Sequence, residues 1–362
     1  MTSKGTPTPA LPKRLSLVAQ TVQSLCEGIR TGHWKEHLPG ERELCERLQV
    51  SRRTISAALV ELQRKGWLDV SHRQRRRIKA PRATRGTNGQ KKVIAVLSPR
   101  PFHAILPPMT LVMDALRDKF TEAGGVVEFH VNQACFSARP AHALDQLIHD
   151  HPADVWLILG SKEPMQRWFI ERQLPCLVAG SCAPGIVLPS VDVDYRAACR
   201  HAGDVLWRKG HRRLALVQPL DAYDGDVESE HGFREALNKH PEAQLRVIRH
   251  DGTATHLGSL LDKAMHSAHP PTAYLVVHAH RALTVAMHLM RRKLRLPQDA
   301  AVISRDNENY LQHTSPVLSR YAVDPVHFAR KLSKAVCELA ETGVLAPRAI
   351  RLIPKFIAGE TV

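Results

Sequence analysis

Between residues 93 and 304, short apolar runs alternate with stretches of helical periodicity, and no other feature restricts the fold as much. The runs are 93–98, 126–131, 155–160, 176–180, 214–218, 245–249, 273–278 and 300–304. Helix-like stretches at 109–123, 195–209, 231–239, 257–267, 280–293 and 325–341 lie between most of them or follow. Strands that alternate with helices need crossover connections, so the expected fold is α/β, with parallel sheets covered by helices. About 270 residues is too many for one comfortable sheet and suits two lobes. Ligands in such folds bind at the carboxyl ends of strands, here across a cleft.

The chain of 362 residues is long enough for two or three domains with proper cores. Its charge is uneven. Residues 1–90 hold 18 Lys+Arg against 7 Asp+Glu, a net of +11, and the remaining 272 hold 33 against 28, a net of +5. Such asymmetry points to a polyanion-binding module joined to a nearly neutral one. No apolar run approaches the roughly 20 residues of a membrane span. Seven cysteines, scattered and without a CxxC pair, fit a reducing compartment, and the expected location is the cytoplasm. Residues 1–13 read as a mobile arm without a secretory signal.

In the first part of the chain, Leu15, Val18, Val22, Leu25 and Ile29 recur at helical spacing. Leu44, Cys45 and Leu48 mark a second, short helix after Pro39-Gly40. Gln49-Val50 forms a turn, and Ser51 is a good N-cap for a third helix whose buried stripe is Ile55, Ala58, Leu59 and Leu62. Arg53 and Ser56 fall on the opposite face, with Arg52 at its flank. Gly66 ends the helix, and "WLDV" and "RRIKA" read as two short strands around the tip "SHRQR". Three helices and a hairpin make a winged helix-turn-helix, expected over 14–80. Its third helix would enter the major groove by its N-terminal end, where Arg52 or Arg53 reaches guanine O6/N7. The wing arginines Arg73, Arg75 and Arg76 are expected on phosphates or in the minor groove.

The stretch "LPGERELCERLQVSRRTISAALVELQRKGWL" resembles the DNA-binding domain of the gluconate-repressor (GntR) family over about residues 15–80. The resemblance implies that Arg42 and Arg52 take the positions of backbone- and base-contacting arginines, with Thr54 beside them. Ser56 stands where that family usually has an arginine. Gln49 replaces the turn glycine, at about 1 kcal/mol if that position is left-handed. The wing lacks the usual Gly-x-Gly and is arginine-rich. With Ser51 and Arg53, these residues complete the expected DNA-binding set.

Residues 81–92, rich in Pro, Gly, Asn, Thr and basic residues, read as a linker. Beyond it, "TAYLVVHAHRALTVAMHLMRRKLRLPQDAAVISRDN" and "SPVLSRYAVDP" resemble the effector-binding domain of lactose/galactose-repressor (LacI) type regulators. "VDVDYRAACRHAGDVLWRKGHRRLALV" and "HGFREAL" are similar to earlier blocks of the same family. The resemblance implies two periplasmic-binding-protein-like lobes joined by three crossings, dimerisation, and a small ligand in the cleft. The lobes are expected at 93–193 with 317–343, and at 194–316 with 344–362. Pocket positions depart from the pattern. His278-Ala279 replaces an Asn-Asp pair, Ser304-Arg305-Asp306-Asn307 replaces Gly-Phe/Tyr-Asp-Asp, and Ser229 stands where an arginine is usual. The expected effector set is Ser98, Phe102, His103, Ser229, His278, His280, Arg305 and Asp306. These substitutions weaken the case for a simple sugar, and the expected effector is a sugar or an anionic metabolite.

An enzyme is not expected. "HAH" at 278–280 offers two histidines on one side of a strand, but no second His/Asp constellation accompanies it. Asp221, Asp224 and Asp226 in "DAYDGDVESE" lack the closing glutamate spacing of a calcium loop and read as a solvated loop. No GxSxG, P-loop or GxGxxG stands at a strand–helix junction. No cofactor and no metal are expected, and the 92–360 pattern does not fit a pyridoxal-type enzyme fused to the head. The expected protein is a homodimeric regulator, by resemblance a repressor, that binds a palindromic double-stranded operator and answers to a cleft ligand. The alternative is a DNA-binding dimer whose second domain no longer senses anything.

Overall fold

The computed structural model describes residues 17–30, 34, 37–64, 68–69, 77–78, 92–104, 107–122, 125–345 and 348–362. The chain divides into two units, Met1–Asn88 and Gly89–Val362.

The first unit contains α1 (Leu17–Arg30), α2 (Glu41–Leu48), α3 (Arg52–Arg64) and the antiparallel strands β1 (Leu68–Asp69) and β2 (Arg77–Ile78). One core joins them. Val22, Leu25 and Ile29 of α1 meet Leu38, Leu44 of α2, Ile55, Ala58, Leu59 and Leu62 of α3, and Leu68. The i, i+3, i+4, i+7 spacing on α3 puts all four of its apolar residues on one side and leaves its polar side outward. Gln49 ends α2 in the left-handed region at φ 50°, and its N–H donates to the Cys45 carbonyl. This sharp reversal lets α2 and α3 share one core.

The second unit holds two six-stranded sheets. The first lobe runs β3 (Val93–Ser98), α4 (Pro107–Glu122), β4 (Val126–Val131), α5 (Ala141–Asp150), β5 (Val155–Leu159), α6 (Glu163–Glu171), β6 (Cys176–Ala179) and β7 (Ser190–Val193). The chain then crosses to α7 (Tyr195–Arg208), β8 (Arg213–Pro219), α8 (Asp224–Leu237), β9 (Gln244–His250), α9 (Ala254–Met265), β10 (Ala273–Val276), α10 (Ala279–Arg291), β11 (Ala301–Ser304) and β12 (Ser319–Ala322). It returns for α11 (Pro325–Thr342) and β13 (Ala349–Leu352), and crosses a third time to β14 (Lys355–Ile357). Strand order is β13-β7-β6-β5-β3-β4 in one sheet and β14-β12-β11-β10-β8-β9 in the other. Among the described residues of these two sheets, all pairings are parallel except β12–β14.

Each sheet is buried on both faces. Val112, Leu116, Leu332 and Val336 cover one face of the first sheet, and Leu144, Leu147, Trp168 and Phe169 cover the other. The second sheet is covered by Leu257, Leu261, Val285 and Leu289 on one face and by Cys199, Leu206, Phe233 and Leu237 on the other.

The lobe boundaries differ from the sequence-based expectation at two places. Residues 319–322 pair in the second sheet rather than with the first lobe, and 349–352 pair in the first rather than the second. The exchanges therefore lie between β12 and α11 and between β13 and β14. The four strands beside the crossings, β7, β12, β13 and β14, carry polar residues on short segments and have no continuous apolar run. Among the described residues, no helix is long and apolar enough to cross a membrane.

Candidate functional site

Two sites emerge, one in each unit. In the first unit, the Ser51 Oγ accepts the Thr54 backbone N–H at 3.2 Å and lies 2.8 Å from the Thr54 hydroxyl. The Ser51 carbonyl accepts the Ile55 N–H at 3.0 Å. Ser51 thus caps α3, and its hydroxyl is engaged before any ligand arrives. Arg52 and Arg53 follow in the first helical turn, both exposed. The Arg52 side chain is 85% exposed and stands 3.5 Å from Glu41; that of Arg42 is 96% exposed and 3.5 Å from Glu46. Ion pairs this exposed are worth about 0–1 kcal/mol and do not fix either arginine. Ser56 is half-buried. It joins Glu41, Arg52, Arg53, Ala57 and Val60 around an open recess on the outer side of α3. Two guanidiniums beside the positive end of a helix dipole suit a polyanion. The wing arginines Arg73, Arg75 and Arg76 lie outside the described residues.

In the second unit, the carboxyl ends of β8 to β11 hold a buried ionic cluster. Arg305, one residue past β11, donates from Nε and Nη2 to Asp306 Oδ1 and Oδ2, each at 2.9 Å. Its Nη1 donates to Asp226 Oδ1 at 2.6 Å and to Ser229 Oγ at 3.0 Å. Four of its five N–H groups are therefore engaged within the chain. The guanidinium also packs 4.0 Å from the Tyr195 ring centroid. Asp306 reaches His278 Nδ1 at 3.2 Å. Burial opposes ionisation of Asp306, but Arg305 and His278 outweigh it and hold the carboxyl well below the usual carboxylate range. For Arg305, burial favours the neutral form, and Asp306, Tyr195 and Asp226 overcome it.

His278 and His280 are not on a strand. β10 ends at Val276, His278 occupies the N-cap of α10 at φ 71°, and His280 lies in its first turn. Their rings are nonetheless parallel, 5.9 Å apart. A non-glycine residue at this φ is strained, a condition that recurs at ligand sites. Burial, Arg281 and His278 lower the pKa of His280. Arg100, from the loop after β3, adds to that depression. Of the other first-lobe residues expected here, Ser98 is buried, and its hydroxyl is engaged with the backbone of Arg100 at 2.8 and 3.1 Å. Phe102 packs edge-on to Phe129 at 5.5 Å, and His103 is exposed. The structure thus brings together Ser229, His278, Arg305 and Asp306, with His280 beside them. Lys162 of the first lobe pairs with Asp221 and sits over the Tyr223 ring of the second, bridging the cleft.

Sequence reading missed four residues of this cluster: Asp226, Tyr195, Asp192 and His250. "DAYDGDVESE" is not a solvated loop throughout. α8 begins at Asp224, and Asp226 accepts the Tyr223 N–H at 3.1 Å while its second oxygen meets Arg305. That folding-back turns a surface acid into a buried one. Asp192, on β7, accepts the Ser181 hydroxyl at 2.6 Å, and burial raises its pKa to about 6. His250 accepts the Gly252 N–H on Nδ1, and its buried Nε2–H has no partner among the described residues. Burial, then Arg281 and His278, lower its pKa to about 4.

Residues 17–78 match the bacterial regulatory proteins of the gntR family, and residues 203–362 match a periplasmic binding protein-like domain. The chain thus joins a head similar to the gntR family to a region similar to a periplasmic binding protein-like domain. It is 28% identical over 183 residues to the HTH-type transcriptional repressor CytR of Escherichia coli (strain K12), covering 49% of this chain and 53% of that protein. It is 25% identical over 192 residues to the catabolite control protein A of Priestia megaterium, covering 52% and 53%. The chain spans about half the length of the curated relatives it matches. Among solved structures, a regulatory protein of the LacI family from Chloroflexus aggregans is 18% identical with a TM-score of 0.64, covering 74% of this chain and 98% of that one. A transcriptional regulator CelR–cellobiose complex is also 18% identical at TM-score 0.64, covering 87% and 92%. A LacI family regulator from Enterococcus faecalis V583 with bound ribose is 15% identical at 0.61, covering 75% and 98%. At these identities the likeness shows the two-lobed fold. Within that fold, Ser229 stands where an arginine is usual, yet a guanidinium still reaches it, delivered by Arg305 from the end of β11.

Proposed function

We propose that this chain is a one-component transcription regulator. Residues 14–80 read an operator, 81–92 link, and the two-lobed domain dimerises and holds a small effector. The observation that carries the reading is α3 itself. Its apolar stripe is buried in the head's core, while Arg52 and Arg53 are exposed just past the Ser51 cap. That arrangement offers guanidiniums to base edges from a rigid element. Arg42, Thr54 and Ser56 flank them, and Arg73, Arg75 and Arg76 add phosphate contacts from the wing. Two heads per dimer read a palindrome in the cytoplasm. A random-library duplex selection with the full chain tests this. A two-fold symmetric enriched site supports the proposal, and absence of any enriched sequence refutes it.

For the effector, the charge balance favours an uncharged, hydroxyl-bearing molecule over an anion. Arg305 is a buried cation at these strand ends, but it is already matched by Asp226 and Asp306, with Asp192 nearby. Residual capacity rests on Asp306, His278 and His280. The same saturation also favours the second reading, a cleft that senses nothing. Thermal-shift screening separates the two, because a ligand at 100 times its Kd stabilises the folded chain by about 2.7 kcal/mol. Stabilisation by neutral polyols or sugars supports sensing, and silence across the screen supports the non-sensing dimer.

A further inference from the structure

Away from the cleft, β4 forms one edge of the first sheet and presents Glu128 and His130 two residues apart. The register pairs Glu128 with Ala95 and His130 with Leu97, so both lie on the face covered by α5 and α6. His151, directly after α5, closes the group from above. One ligand atom from each of the three residues falls within 4.8 Å of the other two. His130 Nε2 is 3.1 Å from Glu128 Oε2, and the two imidazole centroids are 4.6 Å apart.

We infer that Glu128, His130 and His151 bind a divalent metal ion of the zinc class. Ligand atoms at about 2.0–2.2 Å from a tetrahedral ion stand roughly 3.3 Å from one another. Glu128 and His130 already have that spacing. His151 is exposed and needs to close by no more than about 1.5 Å, within reach of a side-chain rotation. Two imidazoles with one carboxylate favour zinc, cobalt, nickel or copper over magnesium or calcium. On binding, the His130 proton moves from Nε2 to Nδ1, the ion takes its place between Nε2 and the Glu128 carboxylate, and a fourth position remains for water. The bound ion would pin an edge strand to the end of α5.

The blander arrangement is a His–Glu pair with a second histidine stacked on it, and metal titration distinguishes them. The full chain is stripped with chelator, then titrated with Zn2+ by calorimetry and with Co2+ by visible absorption. The expected result is one tight equivalent per chain, with the strong visible bands of four-coordinate cobalt. His151→Gln changes an exposed side chain and should leave apo melting unaltered. It should weaken that equivalent by more than the roughly 10–100-fold that loss of an outer-shell partner produces. Glu128→Gln should act in the same direction, and His269→Gln, at an exposed histidine elsewhere, should do nothing. Absence of a stoichiometric equivalent overturns the site, and so does an equivalent that survives both His151→Gln and Glu128→Gln.

Discussion

Arg305 Nη1 lies 2.6 Å from Asp226 Oδ1, and both side chains are only 3% exposed. Removing one partner of such a pair strands a buried charge, which typically costs about 3–5 kcal/mol. Arg305→Ala should therefore lower the unfolding free energy of the two-lobed unit by that amount in urea denaturation. Asp226→Asn should cost less, because Arg305 keeps both oxygens of Asp306. Equal stability of Arg305→Ala and wild type would show that the cluster is solvated in solution.

Asp192 should give the cleft a pH signature. Its folded pKa is raised to about 6 by burial, whereas an unfolded aspartate titrates near about 3.9. Between those values the folded chain binds more protons, so this group makes stability fall as pH rises through about 4 to 6. The full effect, at most about 3 kcal/mol, is present above that window. His250 acts in the opposite sense. Its folded pKa is depressed to about 4, so its contribution is present above about 6.5 and is lost as pH falls toward 4. The two slopes nearly cancel in the wild type, and only a difference isolates either one. Asp192→Asn should be the more stable protein at pH 7.5, by up to about 3 kcal/mol, with the gap shrinking as pH falls through about 6 to 4 and closing below about 4. A pH-independent gap would contradict the assignment.

The turn between α2 and α3 yields a pair of opposite effects. Ser51→Ala removes the acceptor for the Thr54 N–H and should destabilise the head by about 1 kcal/mol. Gln49→Gly relieves a left-handed non-glycine residue at φ 50° and should stabilise it by about 1 kcal/mol. Thermal melts of the two variants, followed by far-ultraviolet circular dichroism, should move in opposite directions from wild type.

The head was legible because its signals are local. Ile55, Ala58, Leu59 and Leu62 declare their face by spacing alone, and Ser51 declares the cap. The eight apolar strands were legible for a similar reason. β7, β12, β13 and β14 were not, since their polar residues are satisfied by distant partners. Arg320 on β12, for example, donates to Asn307 at 2.7 Å and is buried. The cleft's central contact was equally hidden. Arg305 and Asp226 are 79 residues apart, and only the fold shows that each neutralises the other. The Glu128–His130–His151 group escaped notice because an E-x-H pair is common and its third member comes from another element.

The wing should behave unlike α3. Arg73→Ala, Arg75→Ala and Arg76→Ala should weaken binding to every duplex alike. Each lost phosphate contact should reduce the slope of log K against log salt by about 0.9. A wing variant that changed the preferred sequence while keeping the slope would place that arginine on base edges instead.

The most direct test of base reading by α3 is the affinity ratio between the selected operator and a scrambled duplex, at one salt concentration, for wild type and Arg52→Ala. Loss of a bidentate guanine contact is worth about 1–3 kcal/mol of discrimination, so the ratio should fall by roughly 5- to 150-fold. An unchanged ratio, with both duplexes bound as tightly as by wild type, would contradict the placement of α3 in the groove.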